Sequence, residues 1–312
     1  MGLSVCLFGK FRVLQDGQPL GGFEALRVRE LFSYLLLFHD RPHSREQLVR
    51  ELWEDEDPSR ALKFLRQALW KLQRALPDGE AGRALLLAQP HDVQLHLPPG
   101  VGLDVAMFEE AWARSRTGGA LDDGSARELE EAVRLYTAEL LEGWQQEWCL
   151  FERERLRNLY LVVLDRLMAY HEARRDPEAA LHCGLEILRH DEAHEQTHRN
   201  LMRLYSLLGR RSEALRQYER CAQALKRELD ALPDRQTRAL YERLRLDEER
   251  LASHAPAAPS EDVRAVIALV EQVQAALHRL RASTQFLPLP TQDASRGQEE
   301  SGPSRDGGET PA

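Results

Sequence analysis

Two dipeptides return at a fixed interval. Leu167-Met168 recurs as Leu201-Met202, and Ala180-Leu181 recurs as Ala214-Leu215, each 34 residues on. In the second copy Tyr205, Ala214 and Tyr218 supply an aromatic, a small residue and an aromatic. A self-similar unit of this length is a pair of helices. One such pair cannot bury its apolar face alone, so it must stack on neighbours and leaves a concave surface. Strand signals are missing from Leu103 onward, and periodic helices run to about Arg250.

The residues before 103 follow a different rule. Leu3, Val5 and Leu7 alternate, Phe11 and Val13 continue after a break at Gly9, and Asp16-Gly17 marks a tight turn. Short strands are expected there. Glu24 to His39 is expected to be a helix, with Leu26, Leu31, Tyr34, Leu35 and Phe38 inward and Pro42 behind it. Ser44 to Gln47 is a capping box that opens a second helix running to Trp53. Asp57-Pro58 is an N-cap and first-turn pair for a third helix. Leu85 to Ala88 and Val93 to Leu97, around a turn at Gln89 to Asp92, read as a hairpin.

The third helix is divided into two faces. Leu62, Leu65, Leu69, Leu72 and Leu76 stand three and four apart, which predicts one buried stripe, widened by Ala61, Ala68 and Ala75. Arg60, Lys63, Phe64, Gln67, Lys71 and Arg74 fall on the opposite side. No acid interrupts the run between Asp57 and Asp78, in a chain of net charge -9. Leucines that fix a helix to its domain, with Arg, Lys and Gln turned outward, meet the needs of a helix that reads DNA. An amphipathic helix with a solvated basic face has the same composition, and the flanking architecture decides between the two.

Strands, three helices and a hairpin, in that order, are a winged helix-turn-helix. With strands in front, residues 1–103 resemble the OmpR-type effector domain. The 34-residue period is that of the tetratricopeptide repeat. The segments DVAMFEEAW, LYTAELLEGWQQEWCLFERERLRNLYLVVLDRLMAY and RNLMRLYSLLGRRSEALRQYERCAQALKRELDALPDRQTRALYERL resemble the bacterial transcriptional activator domain. That domain is a tetratricopeptide-like array that follows an OmpR-type winged helix in the antibiotic regulatory protein family and its relatives. The expected fold class is mainly α: an α+β winged helix, then an all-α array. The expected domains are 1–103, 104–250, a linker at 251–260, an amphipathic helix at 261–287 and a disordered tail at 288–312.

The resemblance implies a DNA-binding transcriptional regulator, an activator that binds repeated promoter sites as a side-by-side homodimer and recruits RNA polymerase. Arg60, Lys63 and Gln67 are candidate base readers, Phe64 a contact for a thymine methyl, and Lys71 and Arg74 phosphate contacts. Glu54, Asp55 and Glu56, in the loop before the third helix, are candidate contacts to a basic polymerase surface; charge complementary to the helix dipole is the competing explanation. The wing departs from the family pattern: it has His91-Asp92-Val93 in place of a glycine followed by an aromatic, and no Lys or Arg lies between Arg83 and Arg114. Contact of this wing with a groove or phosphate is therefore not expected. The array would serve dimerisation, polymerase contact or sensing of a small ligand.

Two readings from other classes compete. One is a helical-repeat scaffold whose winged helix binds protein. The other is a zinc hydrolase, because His194-Glu195-x-x-His198 matches HExxH. His198 shares its helix face with Leu201 and Tyr205, which favours packing over ligation, so no metal, cofactor or enzymatic activity is expected. No GxxxxGK[ST] is present, and no phosphoacceptor domain is expected ahead of the winged helix. Cys6, Cys149, Cys183 and Cys221 form no CxxC and read as reduced core residues. With no signal peptide and no apolar run of membrane-spanning length, a cytoplasmic protein without membrane contact is expected. Val263, Val266, Val270, Val273, Leu277 and Leu280 make an apolar seam in the C-terminal helix, which suits either docking on the array or zipping two chains.

Overall fold

A computed structural model describes residues 2–77, 85–116, 119–253, 269–270 and 272–275, with backbone alone for 247–253. Strands β1 (Leu3–Cys6), β2 (Arg12–Gln15) and β3 (Gln18–Pro19) form an antiparallel meander, turned at Asp16-Gly17, where both residues have positive φ. Helix α1 (Leu26–Leu37) follows, then β4 (His43–Ser44), α2 (Arg45–Leu52) and α3 (Pro58–Ala75). Strands β5 (Leu86–Ala88) and β6 (Asp92–Leu95) make the wing hairpin, and β4 pairs with β6 to complete a three-stranded sheet. Strand β7 (Val101–Leu103), not expected from the sequence, closes the first sheet by pairing parallel to β1, in the order β3-β2-β1-β7.

The helices that follow are α4 (Asp104–Ser115), α5 (Asp123–Leu135), α6 (Glu147–Ala173), α7 (Pro177–His190), α8 (Glu195–Leu207), α9 (Arg211–Leu229) and α10 (Arg235–Ser253). Consecutive helices from α6 to α9 pack on one another. The repeated residues do the packing: Leu167, Met168, Ala180, Leu201, Met202 and Ala214 are all buried. Gly184 lets α7 approach α8, because a Cβ there would stand 2.7 Å from Leu201 Cδ2. Tyr218 stacks on Tyr241 at 4.1 Å, and Tyr136 on Tyr160 at the same distance, at two further helix junctions.

One compact unit runs from Met1 to Glu249, so the chemical boundary near residue 103 is not a gap in the fold. Its seam is built from backbone and buried polar groups. Asp104, buried at the start of α4, accepts the N–H groups of Leu7, Phe8 and Val105 at 2.8–3.0 Å. On the other side of the same stretch, the Leu141 and Glu142 amides donate to Leu7 and Gly9, and the Gly9 amide to Glu139, each at 2.8 Å. Glu30 on α1 accepts from Trp53 Nε1 at 3.1 Å and from Gln146 Nε2, just ahead of α6, at 2.8 Å.

Two expected inward residues are corrected. Leu26 is exposed: it is the first residue of α1, which begins two residues after the predicted start at Glu24, and the core is met by Val28, Leu31, Phe32, Leu35 and Leu36. Leu62 is also exposed: it stands at the edge of the stripe, and the core is met by Ala61, Leu65, Ala68, Leu69 and Leu72. Phe38 is half-buried just past the end of α1. The four cysteines are free thiols, and burial pushes Cys149 and Cys183 up to about 11 and Cys221 up to about 12, which makes them poor nucleophiles. Among the described residues no helix is long and apolar enough to cross a membrane.

In the second unit, 250–312, residues 269–270 and 272–275 are helical, within the predicted helix 261–287. The first three residues of the predicted linker 251–260 belong instead to the end of α10, and the rest of the linker, the rest of the predicted helix and the tail at 288–312 lie outside the described residues.

Candidate nucleic-acid interface

The interface is built on α3. Its N-cap is Asp57, whose carboxylate accepts the amides of Ser59 and Arg60 at 3.0 and 3.3 Å, with Pro58 at the first helical position. Hydrogen bonds from the Ser59 hydroxyl and these two amides hold the Asp57 carboxyl below its ordinary range. The helix packs on α1 and α2 through its buried face. At its C-terminal end it presses on the turn before α1. Gly22 has φ +96°, and a Cβ there would come within 2.7 Å of Ala75 Cβ, so only glycine fits.

The opposite face presents Arg60, Lys63, Gln67, Lys71 and Arg74 to solvent, as the spacing predicts. It presents Arg66 and Trp70 as well, which the sequence reading left out although 100° spacing puts them on the same side. The Arg74 guanidinium lies 4.9 Å from the Trp70 ring centroid. No acid occurs anywhere in α3, so nothing along the helix neutralises this face.

Three of the candidate residues are engaged with the protein itself. Phe64 is half-buried, edge-on to Trp53, and carries the Arg27 guanidinium 3.3 Å above its ring. Glu56 pairs with Arg27 at 3.2 Å and with Arg60 at 3.6 Å. Arg60 also lies 5.4 Å from the Phe64 ring. The first turn of α3 is thus a cluster of Arg27, Glu56, Arg60 and Phe64, and Arg27, from α1, has no local signal in the sequence. Glu54 and Asp55 remain exposed beside it.

The wing turn is fastened to the start of α2. Arg45 donates to the Gln89 carbonyl through Nε at 3.3 Å and Nη2 at 2.9 Å, and its amide donates to the His91 carbonyl. Arg45 is therefore a cation beside the hairpin tip, although the hairpin strands carry none.

The HExxH residues do not assemble as a metal site. His194 Nδ1 lies 2.8 Å from Thr197 Oγ1, and Glu195 accepts the Asp234 amide at 2.6 Å. His198 is buried, with Nε2 2.9 Å from the Glu192 carbonyl and Nδ1 2.8 Å from Gln217 Nε2. Both of its ring nitrogens are used, so neither can ligate. Among the described residues no group of three or more His, Cys, Asp or Glu could hold a metal ion.

Residues 103–245 match the bacterial transcriptional activator domain, a span that starts at the last residue of β7 and ends within α10. The chain is 28% identical over 261 residues to the transcriptional regulatory protein EmbR of Mycobacterium tuberculosis, covering 78% of this chain and 63% of that protein, and equally to EmbR of Mycobacterium bovis. It is 27% identical over 247 residues to the regulatory protein AfsR of Streptomyces coelicolor, covering 76% of this chain and 24% of that protein. The chain spans about 63% of the length of the EmbR proteins it matches. The solved structure of Mycobacterium tuberculosis EmbR in complex with a low affinity phosphopeptide superimposes with a TM-score of 0.62 and 21% identity, covering 88% of this chain and 71% of that one, which is a likeness of fold. The helical array is thus the part of the chain that matches the bacterial transcriptional activator domain, and it follows the strands, three helices and hairpin of the N-terminal part.

Proposed function

We propose that this protein is a DNA-binding transcriptional regulator, an activator that reads promoter DNA with the exposed face of α3. The observation that carries this reading is the acid-free face of Lys63, Arg66, Gln67, Lys71 and Arg74 on a helix whose other face is buried in the winged helix. Arg and Lys can meet guanine and Gln adenine in the major groove, while further cations hold phosphates. The likeness of the chain to proteins named as regulators supports the same conclusion. The test is titration of a duplex from upstream of the neighbouring operons, against a scrambled duplex, at two salt concentrations. Lys63→Ala and Gln67→Ala should each cost about 1–3 kcal/mol on the specific duplex, and Lys71→Ala should weaken both duplexes alike and reduce the salt slope by about 1. Wild-type binding by all three variants sinks the proposal.

The partners follow from the same reading. Binding to repeated sites calls for a side-by-side homodimer, and the exposed Glu54 and Asp55 offer a basic surface of RNA polymerase two carboxylates. Glu56 is a weaker candidate, because Arg27 and Arg60 already neutralise it. Replacing Glu54 and Asp55 with Ala should leave DNA affinity intact and lower transcription with purified polymerase. The helical array supplies the surface for dimerisation or for a small ligand that sets the activity. The cation-poor wing strands favour a second reading, a winged helix that binds protein; salt-dependent, sequence-specific DNA binding separates the two.

A further inference from the structure

A groove of about 410 Å³ opens between α7, α8 and α9 on the array. Its floor is polar and has one unmatched atom. The Glu192 carbonyl can only accept, so His198 Nε2, 2.9 Å away, must carry the ring hydrogen. Burial lowers the His198 pKa and keeps the ring neutral, so Nδ1 holds a lone pair. Gln217 must then turn its NH2 to Nδ1, at 2.8 Å, and cannot flip without facing that lone pair with its oxygen. The amide oxygen is what is left over: Gln217 is 1% exposed, and its Oε1 has no hydrogen-bond partner. A buried acceptor without a donor keeps its desolvation penalty, which a ligand donor would recover.

The walls of the groove state the rest of the ligand. Leu185, Leu188 and Ala224 make an apolar side. Arg189, Arg220 and Arg227 stand around the opening against a single lining acid, Glu192, which pairs with Arg227. Arg189 is paired with Glu186 outside the lining, and Arg220 is exposed.

We infer that this groove binds a small amphipathic organic acid with a hydrogen-bond donor beside its carboxylate: the donor meets Gln217 Oε1, the carboxylate meets the arginine rim, and the apolar part lies on Leu185 and Leu188. This specifies the ligand of the array and rests on the ligand-sensing part of the proposed function, not on DNA binding by α3.

N-acetyl-L-leucine carries all three features and serves as the probe on the full chain. Two comparators each lack one: N-acetyl-L-leucine amide has no charge, and 5-methylhexanoate has no donor. Binding is followed through the side-chain amide signals of Gln217 in 15N-labelled protein. N-acetyl-L-leucine should shift those signals saturably, and each comparator should bind at least tenfold more weakly. Arg220→Glu, at an exposed position, should fold as wild type and lose at least tenfold in affinity, whereas Gln217→Leu, which has no side-chain amide to follow, should abolish the heat of binding of N-acetyl-L-leucine in titration calorimetry. Failure of the probe to move the Gln217 amide saturably overturns the inference, as does equal binding of the comparators or of Arg220→Glu. No DNA enters the measurement, so its failure is distinct from a failure of α3 to read DNA.

Discussion

Asp104 holds Leu7 across 97 positions of chain: both carboxylate oxygens accept the Leu7 amide, at 3.0 and 2.8 Å, in a buried site. The N–H of Phe8 joins them at 2.9 Å, so the end of β1 and the start of the activator domain share one buried carboxylate. Asp104→Ala should therefore strand two buried amides just past β1, and cost about 2–5 kcal/mol in urea denaturation. A loss below about 1 kcal/mol would show that the seam does not depend on this group.

The N-cap of α3 is separable from its basic face. Asp57→Ala should lower stability by about 0.5–2 kcal/mol without touching a side chain that faces outward. Asp57→Ser should recover most of that loss, because a hydroxyl can also accept the amides of the first turn. Equal melting of wild type and Asp57→Ala would mean that the tertiary contacts of α3 suffice.

Gly22 should tolerate no side chain. Gly22→Ala forces a Cβ against Ala75 at 2.7 Å in a backbone of φ +96°, and should cost about 2–4 kcal/mol. Pairing it with Ala75→Gly should return part of the loss by removing the clash, while the backbone strain remains. A thermal melt of the single and double variants checks both statements.

The array should lose stability on mild acidification. Burial depresses the folded-state pKa of His198 below the ordinary histidine value of about 6.5, so the unfolded chain binds a proton that the folded chain does not. Stability from this residue is present above pH 6.5 and falls as pH drops toward the folded pKa, by at most about 1.4 kcal/mol per unit. Chemical denaturation at pH 7.5, 6.5 and 5.5 should show the decline, and His198→Gln should flatten it at that step. An identical slope in the variant would assign the decline to other groups.

Much of the winged helix was legible because its signals are local. The caps at Ser44 and Asp57, the turn at Asp16-Gly17 and the leucine spacing of α3 each act within a few residues, and each has its expected place except Leu62 at the edge of the stripe. The 34-residue period announced the stacked helices for the same reason. What was not legible depends on partners far along the chain. β7 is a three-residue strand directly behind Pro98-Pro99-Gly100, too short to carry a strand pattern of its own, and β1 pairs with it from about a hundred residues away. Asp104 looks like a surface acid at the start of a helix until Leu7 and Phe8 cover it. At the candidate interface the outward face of α3 was readable. The engagement of Arg60, Phe64 and Glu56 was not, because Arg27 reaches them from α1. Arg66 and Trp70 are a different case: the helical angle alone places them on the exposed face.

The seam at Leu7 to Gly9 makes α3 and the repeat array parts of one compact unit. Under the proposed function, the bases that α3 chooses would then also choose the direction in which the array points. Shifting a site by half a helical turn, about five base pairs, carries the array to the opposite side of the duplex, while a shift of a full turn restores its heading. Site spacing becomes a matter of phase: two bound copies can bring their arrays together, or toward a shared partner, only at spacings that repeat with the DNA helix.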